Sequence, residues 1–143
     1  MNGATSSRIP STEDQWSKLP PALDAARRAI ELPGAGRVSF YLDNAASGRP
    51  LLLVHSINAA PSAMEMKPLF EHYRRQRPVF ALDLPGFGGS ERRDRAYTPE
   101  LFSQTLLEFI EHVIGEPVDL VALSLSSEFA ARAALAQPDA IRT

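Results

Sequence analysis

The chain has 143 residues, enough for one modest domain with a hydrophobic core, and 44% of them are apolar. Its net charge of -2 predicts no attraction to nucleic acid or to an anionic membrane surface, and no apolar run reaches the length of a membrane span. The lack of cysteine excludes disulfides and thiolate metal sites and favours a cytoplasmic location.

The first 19 residues are polar, contain one aromatic residue, Trp16, and lack the hydrophobic stretch of a secretion signal. This composition predicts a flexible arm over residues 1–19 and a domain over residues 20–143.

The domain is predicted to begin with a helix and a strand. From Pro21 onward, a helical spacing of apolar residues predicts a helix that ends at Pro33–Gly36. The residues with this spacing are Leu23, Ala26 and Ile30. Alternating polar and apolar residues over Val38–Leu42 then predict a half-exposed strand.

Short apolar runs alternate with helical patterns in the rest of the chain. Runs of this kind are typical of strands that are buried on both faces of a parallel sheet. The runs are Leu51–Val54, Val79–Leu82 and Val118–Leu123, and the helical patterns are Met66–Arg75, Thr98–Ile114 and Ser127–Gln137. The alternation predicts the α/β class, with a mainly parallel sheet and flanking helices.

Ser124 joins the third apolar run to the last helix with no loop between them. A serine on such a tight turn needs small residues two positions before it and two and three positions after it. Ala122, Ser126 and Ser127 meet this requirement, whereas Ser126 as the central residue would place Glu128 where a small side chain is needed. Ser124 is therefore the candidate nucleophile, and the alternative is a serine-rich helix cap without chemistry.

Two backbone N–H groups are candidates to bind an oxyanion near Ser124. The Leu125 N–H lies at the start of the following helix, where the helix dipole is positive. The loop His55–Asn58 follows the first buried strand, at the same end of the sheet, and can offer a second donor, for which Ile57 is favoured over Asn58. The His55 side chain is interpreted as structural, bonding to backbone.

A glycine-rich loop, Asp83–Ser90, follows the second buried strand. Its glycines do not open a helix, and Glu91 fills the position of the last glycine in a dinucleotide-binding motif, so phosphate binding is disfavoured. The loop instead predicts a tight turn near the rim of the site. Asp83 is predicted to anchor turn amides and not to take part in catalysis.

Together, the segments Val54–Asn58, Asp83–Ser90 and Ala122–Ser127 resemble the α/β-hydrolase superfamily in order and spacing, from about Arg37 to the end of the chain. The resemblance is to the N-terminal portion only, and it implies an incomplete α/β-hydrolase fold. It further implies a serine hydrolase that acts on a small-molecule ester, a related acyl bond or a carbon–carbon bond through an acyl-enzyme on Ser124. No metal or organic cofactor is implied.

The sequence departs from the pattern of this superfamily at several small residues. Ser56 stands where the loop usually has glycine, and Ala122, Ser126 and Ser127 replace the three usual glycines of the nucleophile turn. These exchanges of one small residue for another are compatible with the turn. A serine nucleophile also argues against dehalogenase or epoxide-hydrolase chemistry, for which this superfamily places aspartate there.

The superfamily places its catalytic acid and histidine after the nucleophile. Here 19 residues follow Ser124, and both His72 and His112 lie on predicted helices before it. We therefore expect the acid and the histidine to be missing from this chain, which should have little turnover alone.

Two alternatives remain open: a non-catalytic binding or regulatory module with a hydrolase-like pocket, and one chain of a split enzyme. Without later strands, Val118–Leu123 would form an unprotected sheet edge carrying only Asp119 as a charge. Such an edge favours self-association.

Overall fold

A computed structural model describes residues 19–58 and 61–142. These residues form a six-stranded sheet with the strand order β1-β2-β4-β3-β5-β6. The strands are β1 Ala26–Leu32, β2 Gly36–Asp43, β3 Leu51–Val54, β4 Val79–Leu82, β5 Val118–Ala122 and β6 Ile141–Arg142. Apart from Leu19, the arm predicted over residues 1–19 lies outside the described residues.

The helices begin and end close to their predicted positions. A 3-10 turn, Ala63–Met66, leads into α1, Lys67–Tyr73; the other helices are α2, Pro99–Phe109, extended by a π-helical turn over Ile110–Ile114, and α3, Ser126–Ala136. The Thr98 hydroxyl caps α2 by accepting the Leu101 N–H at 3.1 Å, and Gly115 ends the π-helical turn with a φ of 77°. In the described ranges, no helix combines the length and apolar character needed to cross a membrane.

The sheet is mainly parallel, as predicted. Strand β3 pairs in parallel with β4 and β5, and β5 pairs in parallel with β6. The hairpin β1–β2 is antiparallel and joins the sheet through β4. The carboxyl ends of β3, β4 and β5 therefore lie at one end of the sheet, where open α/β sheets bind ligands.

Apolar side chains cover both faces of β3 and β4, and all eight residues of these strands are buried. Leu52 and Val54 contribute to one core together with α2 and α3, and Leu51 and Leu53 contribute to a second core with α1. The prediction of strands buried on both faces is therefore confirmed for β3 and β4. The same prediction is wrong for β5, which is only partly buried. Val121 of this strand is 38% exposed, because no helix of the described part of the chain covers it.

The helix predicted from Pro21 is wrong, because residues 26–32 form β1. Three apolar residues at helical spacing could not compete with a hairpin in which all seven residues of β1 find partners on β2. Ile30 and Leu32, two positions apart, reach the same core from one face of the strand. Pro33–Gly36 is thus a hairpin turn, and Gly36 adopts a φ of 84°.

The expectation that β5 forms a bare sheet edge is also wrong in part. Strand β6 pairs with the first two residues of β5, Val118 and Asp119. The Asp119 carboxylate accepts hydrogen bonds from Arg49 and Arg77, so its charge is held in ion pairs. The second half of β5 has no partner on that side among the described residues.

Candidate active site

The turn between β5 and α3 carries the one non-glycine residue with positive φ in the described ranges. This residue is Ser124, with a φ of 57°. For a residue with a Cβ, the left-handed region costs about 1–2 kcal/mol. Such strained positions concentrate at functional sites, where the surrounding structure enforces them. The Ser124 side chain is exposed at the carboxyl end of the sheet.

Hydrogen bonds on both sides of Ser124 enforce this backbone conformation. Before it, the Leu123 N–H donates to the Val54 carbonyl at 3.0 Å, which extends the pairing of β5 with β3 by one residue. After it, the Ser127 N–H donates to the Ser124 carbonyl at 3.0 Å, and the Ser127 hydroxyl donates to the same oxygen. Ser124 is therefore fixed between a strand and a helix.

The small residues required around Ser124 also make contacts of their own. Ser126 is fully buried, and its hydroxyl donates to the His55 carbonyl. A glycine at this position could not form that bond. The serine thus links the turn that carries the candidate nucleophile to the loop after β3, a contact that sequence reasoning missed because 71 positions separate the two residues.

His55 is buried, and both of its ring nitrogens bond to backbone. Nε2 accepts the Leu84 N–H at 2.9 Å, so the proton lies on Nδ1, which donates to the Ser56 carbonyl at 2.7 Å. Burial lowers the pKa of His55, which keeps the ring neutral. The structure agrees with the predicted structural role of this side chain, and neither nitrogen is available to act as a general base.

Asp83 anchors the glycine-rich loop, as predicted. Its carboxylate accepts the Ala63 N–H at 2.8 Å and the Gly89 N–H at 3.0 Å. Burial is the main influence on this carboxyl and raises the pKa of Asp83. The loop also places Phe87 against the His55 ring, with the ring centroids 5.5 Å apart.

An open, mainly apolar cleft of about 440 Å³ adjoins this loop. Phe87 lines it, and the Phe87 ring also contacts the His55 ring. Tyr97 forms another part of its wall, and its ring packs on Phe102 of α2. A cleft of this kind can accept an apolar group.

The two residues predicted to donate to an oxyanion, Leu125 and Ile57, follow β5 and β3, whose carboxyl ends lie at the same end of the sheet. Leu125 immediately precedes α3 and is 49% exposed. Ile57 and Asn58 follow His55 in the loop after β3. Within the described residues, neither the Leu125 N–H nor the Ile57 N–H donates to another protein group.

The other two histidines, His72 and His112, make contacts with residues outside the turn that carries Ser124. His72 is on α1 and contacts Tyr73 and Gln76. His112 is on the π-helical turn, 3.5 Å from the Glu111 carboxylate. Over the described ranges, no hydrogen bond joins a histidine to Ser124.

A family model described as the alpha/beta hydrolase family matches residues 51–142, which is more than half of the sequence. The chain belongs to the alpha/beta hydrolase family. This match confirms the resemblance inferred from the three sequence motifs. No curated protein matches the sequence.

Solved structures of hydrolases share the fold. A thermophilic esterase from Thermogutta terrifontis is 24% identical with a TM-score of 0.68, over 82% of this chain and 43% of the esterase. A serine hydrolase involved in carbazole degradation is 20% identical with a TM-score of 0.67, over 82% of this chain and 46% of that protein. E-2-(acetamidomethylene)succinate hydrolase is 19% identical with a TM-score of 0.68, over 82% of this chain and 42% of that hydrolase. This alpha/beta hydrolase chain thus spans less than half the length of these structures, which agrees with the predicted incomplete fold.

Sequence reasoning missed one further residue of the site, Glu65. It lies on the 3-10 turn before α1, and its carboxylate accepts hydrogen bonds from the Ser56 N–H and hydroxyl. No motif marks this glutamate, because the contact depends on how the 3-10 turn folds back beside the end of β3.

Proposed function

We propose that this chain carries the nucleophile and the oxyanion hole of a serine hydrolase that cleaves an ester or a related acyl bond. The observation that carries the proposal is the left-handed backbone of Ser124 at the end of β5. The exposed Ser124 and the N–H groups of Leu125 and Ile57, which donate to no other group among the described residues, support it. Its family membership supports hydrolysis as the reaction class.

In the proposed reaction, Ser124 Oγ attacks the carbonyl carbon of the substrate while a general base removes the hydroxyl proton. The carbonyl oxygen becomes an oxyanion, which the Leu125 and Ile57 N–H groups stabilise. The tetrahedral intermediate then expels the alcohol, which takes up the proton from the base, and leaves an acyl-enzyme on Ser124. Water, deprotonated by the same base, attacks the acyl carbon and releases the acid.

We further propose that the general base and its orienting acid are supplied from outside the described residues. His55 is occupied by backbone at both nitrogens. His72 and His112 make other contacts. An unactivated serine is a weak nucleophile, so the 143-residue chain alone should show little turnover.

The decisive experiment uses the protein as isolated from its natural source. Its intact mass is compared with the 15.6 kDa of this chain, and its hydrolysis of p-nitrophenyl acetate is measured. We expect a larger mass, or a second chain that co-purifies, together with ester hydrolysis. Ser124→Ala should lower kcat at least about 1,000-fold. Ser103→Ala, a matched serine variant on α2 outside the site, should leave kcat unchanged.

Two results would contradict the proposal. One is Ser124→Ala protein that hydrolyses the ester as fast as the wild type. The other is a natural protein of 15.6 kDa that has no partner chain and no hydrolase activity. The second result would favour the binding-module alternative.

A further inference from the structure

The Glu65 carboxylate accepts hydrogen bonds from Ser56 in the loop after β3. Glu65 Oε1 accepts the Ser56 N–H at 2.9 Å and the Ser56 hydroxyl at 2.7 Å, and Oε2 lies 2.9 Å from the same hydroxyl. The Asn58 side-chain amide donates to Ser56 Oγ at 2.7 Å. Ser56 is 4% exposed, so its hydroxyl is saturated by these contacts and shielded from water.

These contacts fix the peptide that carries the candidate oxyanion donor. The Ser56 carbonyl accepts from His55 Nδ1, while the Ser56 N–H is directed at Glu65. Both peptide units of Ser56 are thus restrained. In a trans peptide the carbonyl and the N–H point in opposite directions. The bond from His55 to the Ser56 carbonyl therefore turns the Ile57 N–H away from the imidazole.

Glu65 acts on this peptide as an ionised group. Glu65 is exposed, and its slight desolvation raises its pKa, but the hydrogen bonds from the Ser56 hydroxyl and N–H outweigh this effect and hold the pKa below its ordinary value. Hydrogen bonds to a charged acceptor are about twice as strong as neutral ones. A glycine at position 56 could donate only its N–H to Glu65. The serine in this chain adds a second hydrogen bond, from its hydroxyl.

We propose that Glu65 is a positioning residue of the oxyanion hole: it holds the N–H and hydroxyl of Ser56, and together with the His55 bond to the Ser56 carbonyl it sets the direction of the Ile57 N–H. The proposal rests on the proposed function, because the Ile57 N–H matters only if an oxyanion forms at Ser124. It assigns a role to a residue that no motif marks, and it explains why serine at position 56 is compatible with the site.

The test uses two readouts on the 143-residue chain. The first is the amide ¹H–¹⁵N shifts of Ser56 and Ile57. The second is the rate at which paraoxon modifies Ser124 at alkaline pH, where hydroxide replaces the missing base. In that step, Ser124 Oγ bonds to phosphorus, p-nitrophenolate leaves, and hydroxide takes the serine proton. Charge builds on the phosphoryl oxygen, which the oxyanion hole should stabilise.

Glu65→Ala should move the Ser56 amide proton upfield, shift the Ile57 amide and slow the modification roughly tenfold or more. Glu65→Gln keeps an oxygen that can accept both Ser56 donors, and it should restore the rate to within about threefold of wild type. This rescue separates hydrogen bonding from charge, because a purely electrostatic effect would be lost equally in both variants. The matched control is Glu71→Ala, an exposed glutamate on α1, which should change neither readout.

The proposal is overturned if Glu65→Ala leaves the Ile57 amide unshifted, or if the modification rate stays within about twofold of wild type. If Glu65→Ala does not fold, Ser56→Ala replaces it, since it removes one of the two bonds to Glu65 and should give smaller changes in the same direction. Equal modification of wild-type and Ser124→Ala protein would instead refute the proposed function. The Ile57 amide shift then decides alone whether Glu65 orients this peptide.

Discussion

The strain at Ser124 predicts that removing its Cβ stabilises the protein. At a φ of 57°, a residue with a Cβ costs about 1–2 kcal/mol, which glycine does not incur. Glycine in turn loses about 0.5–1 kcal/mol more backbone entropy on folding. Ser124→Gly should therefore raise the free energy of unfolding by about 0.5–1 kcal/mol. Ser124→Ala keeps the Cβ and the strain and should lie close to wild type.

Thermal and urea unfolding of the two variants check this prediction. With an unfolding entropy of about 2.1 cal/mol/K per residue, 1 kcal/mol shifts the Tm of a 143-residue chain by about 3 °C. Both variants lack the hydroxyl, so their difference isolates the backbone conformation from the chemistry. A Ser124→Gly protein that is no more stable than Ser124→Ala would refute the strain at this turn, and with it the structural basis for choosing Ser124 as the nucleophile.

Two further predictions concern the supports of the site. A Cβ on Gly88, where φ is 53°, would lie 2.2 Å from Asp83 Cγ, so Gly88→Ala should cost at least about 2 kcal/mol by urea unfolding. Gly115 has a similarly positive φ but open space around it, so Gly115→Ala should lower the free energy of unfolding by only about 1 kcal/mol. Equal losses in the two variants would show that the contact with Asp83 is unimportant. The pKa of Asp119 is lowered, mainly by the hydrogen bond from Arg77. The ionised carboxylate therefore stabilises the folded protein at pH values above its ordinary pKa of 3.8, and this stabilisation is lost as the pH falls through the lower pKa of the folded state. Asp119→Asn should therefore cost about 1 kcal/mol at pH 7 and close to nothing in strong acid, and a pH-independent cost would contradict the ion pair.

Local sequence determined the central strands and the helix boundaries. The runs Leu51–Val54 and Val79–Leu82 match β3 and β4 residue for residue, because short uninterrupted apolar runs favour strands that are covered on both faces. Thr98 and Gly115 mark the two ends of the helical segment between β4 and β5, since capping depends on the backbone of a few neighbouring residues.

The tight turn at Ser124 was also readable from sequence. The tight turn requires small neighbours, a local steric condition that Ser124 meets and Ser126 does not. The left-handed φ of Ser124 agrees with that reasoning. The roles of Leu125 and Ile57 as oxyanion donors remain predictions, which the modification experiments test.

Tertiary structure alone decided the remaining features. Residues 26–32 became a strand, although their apolar spacing is helical, because β2 offers a pairing partner for each of the seven residues. Strand β6 covers part of the edge of β5 through two residues that carry no strand pattern of their own. The bonds from Ser56 to Glu65 and from Ser126 to His55 join segments that are distant in sequence or turned back in space. Such contacts depend on where whole elements pack, and local residue patterns do not encode that placement.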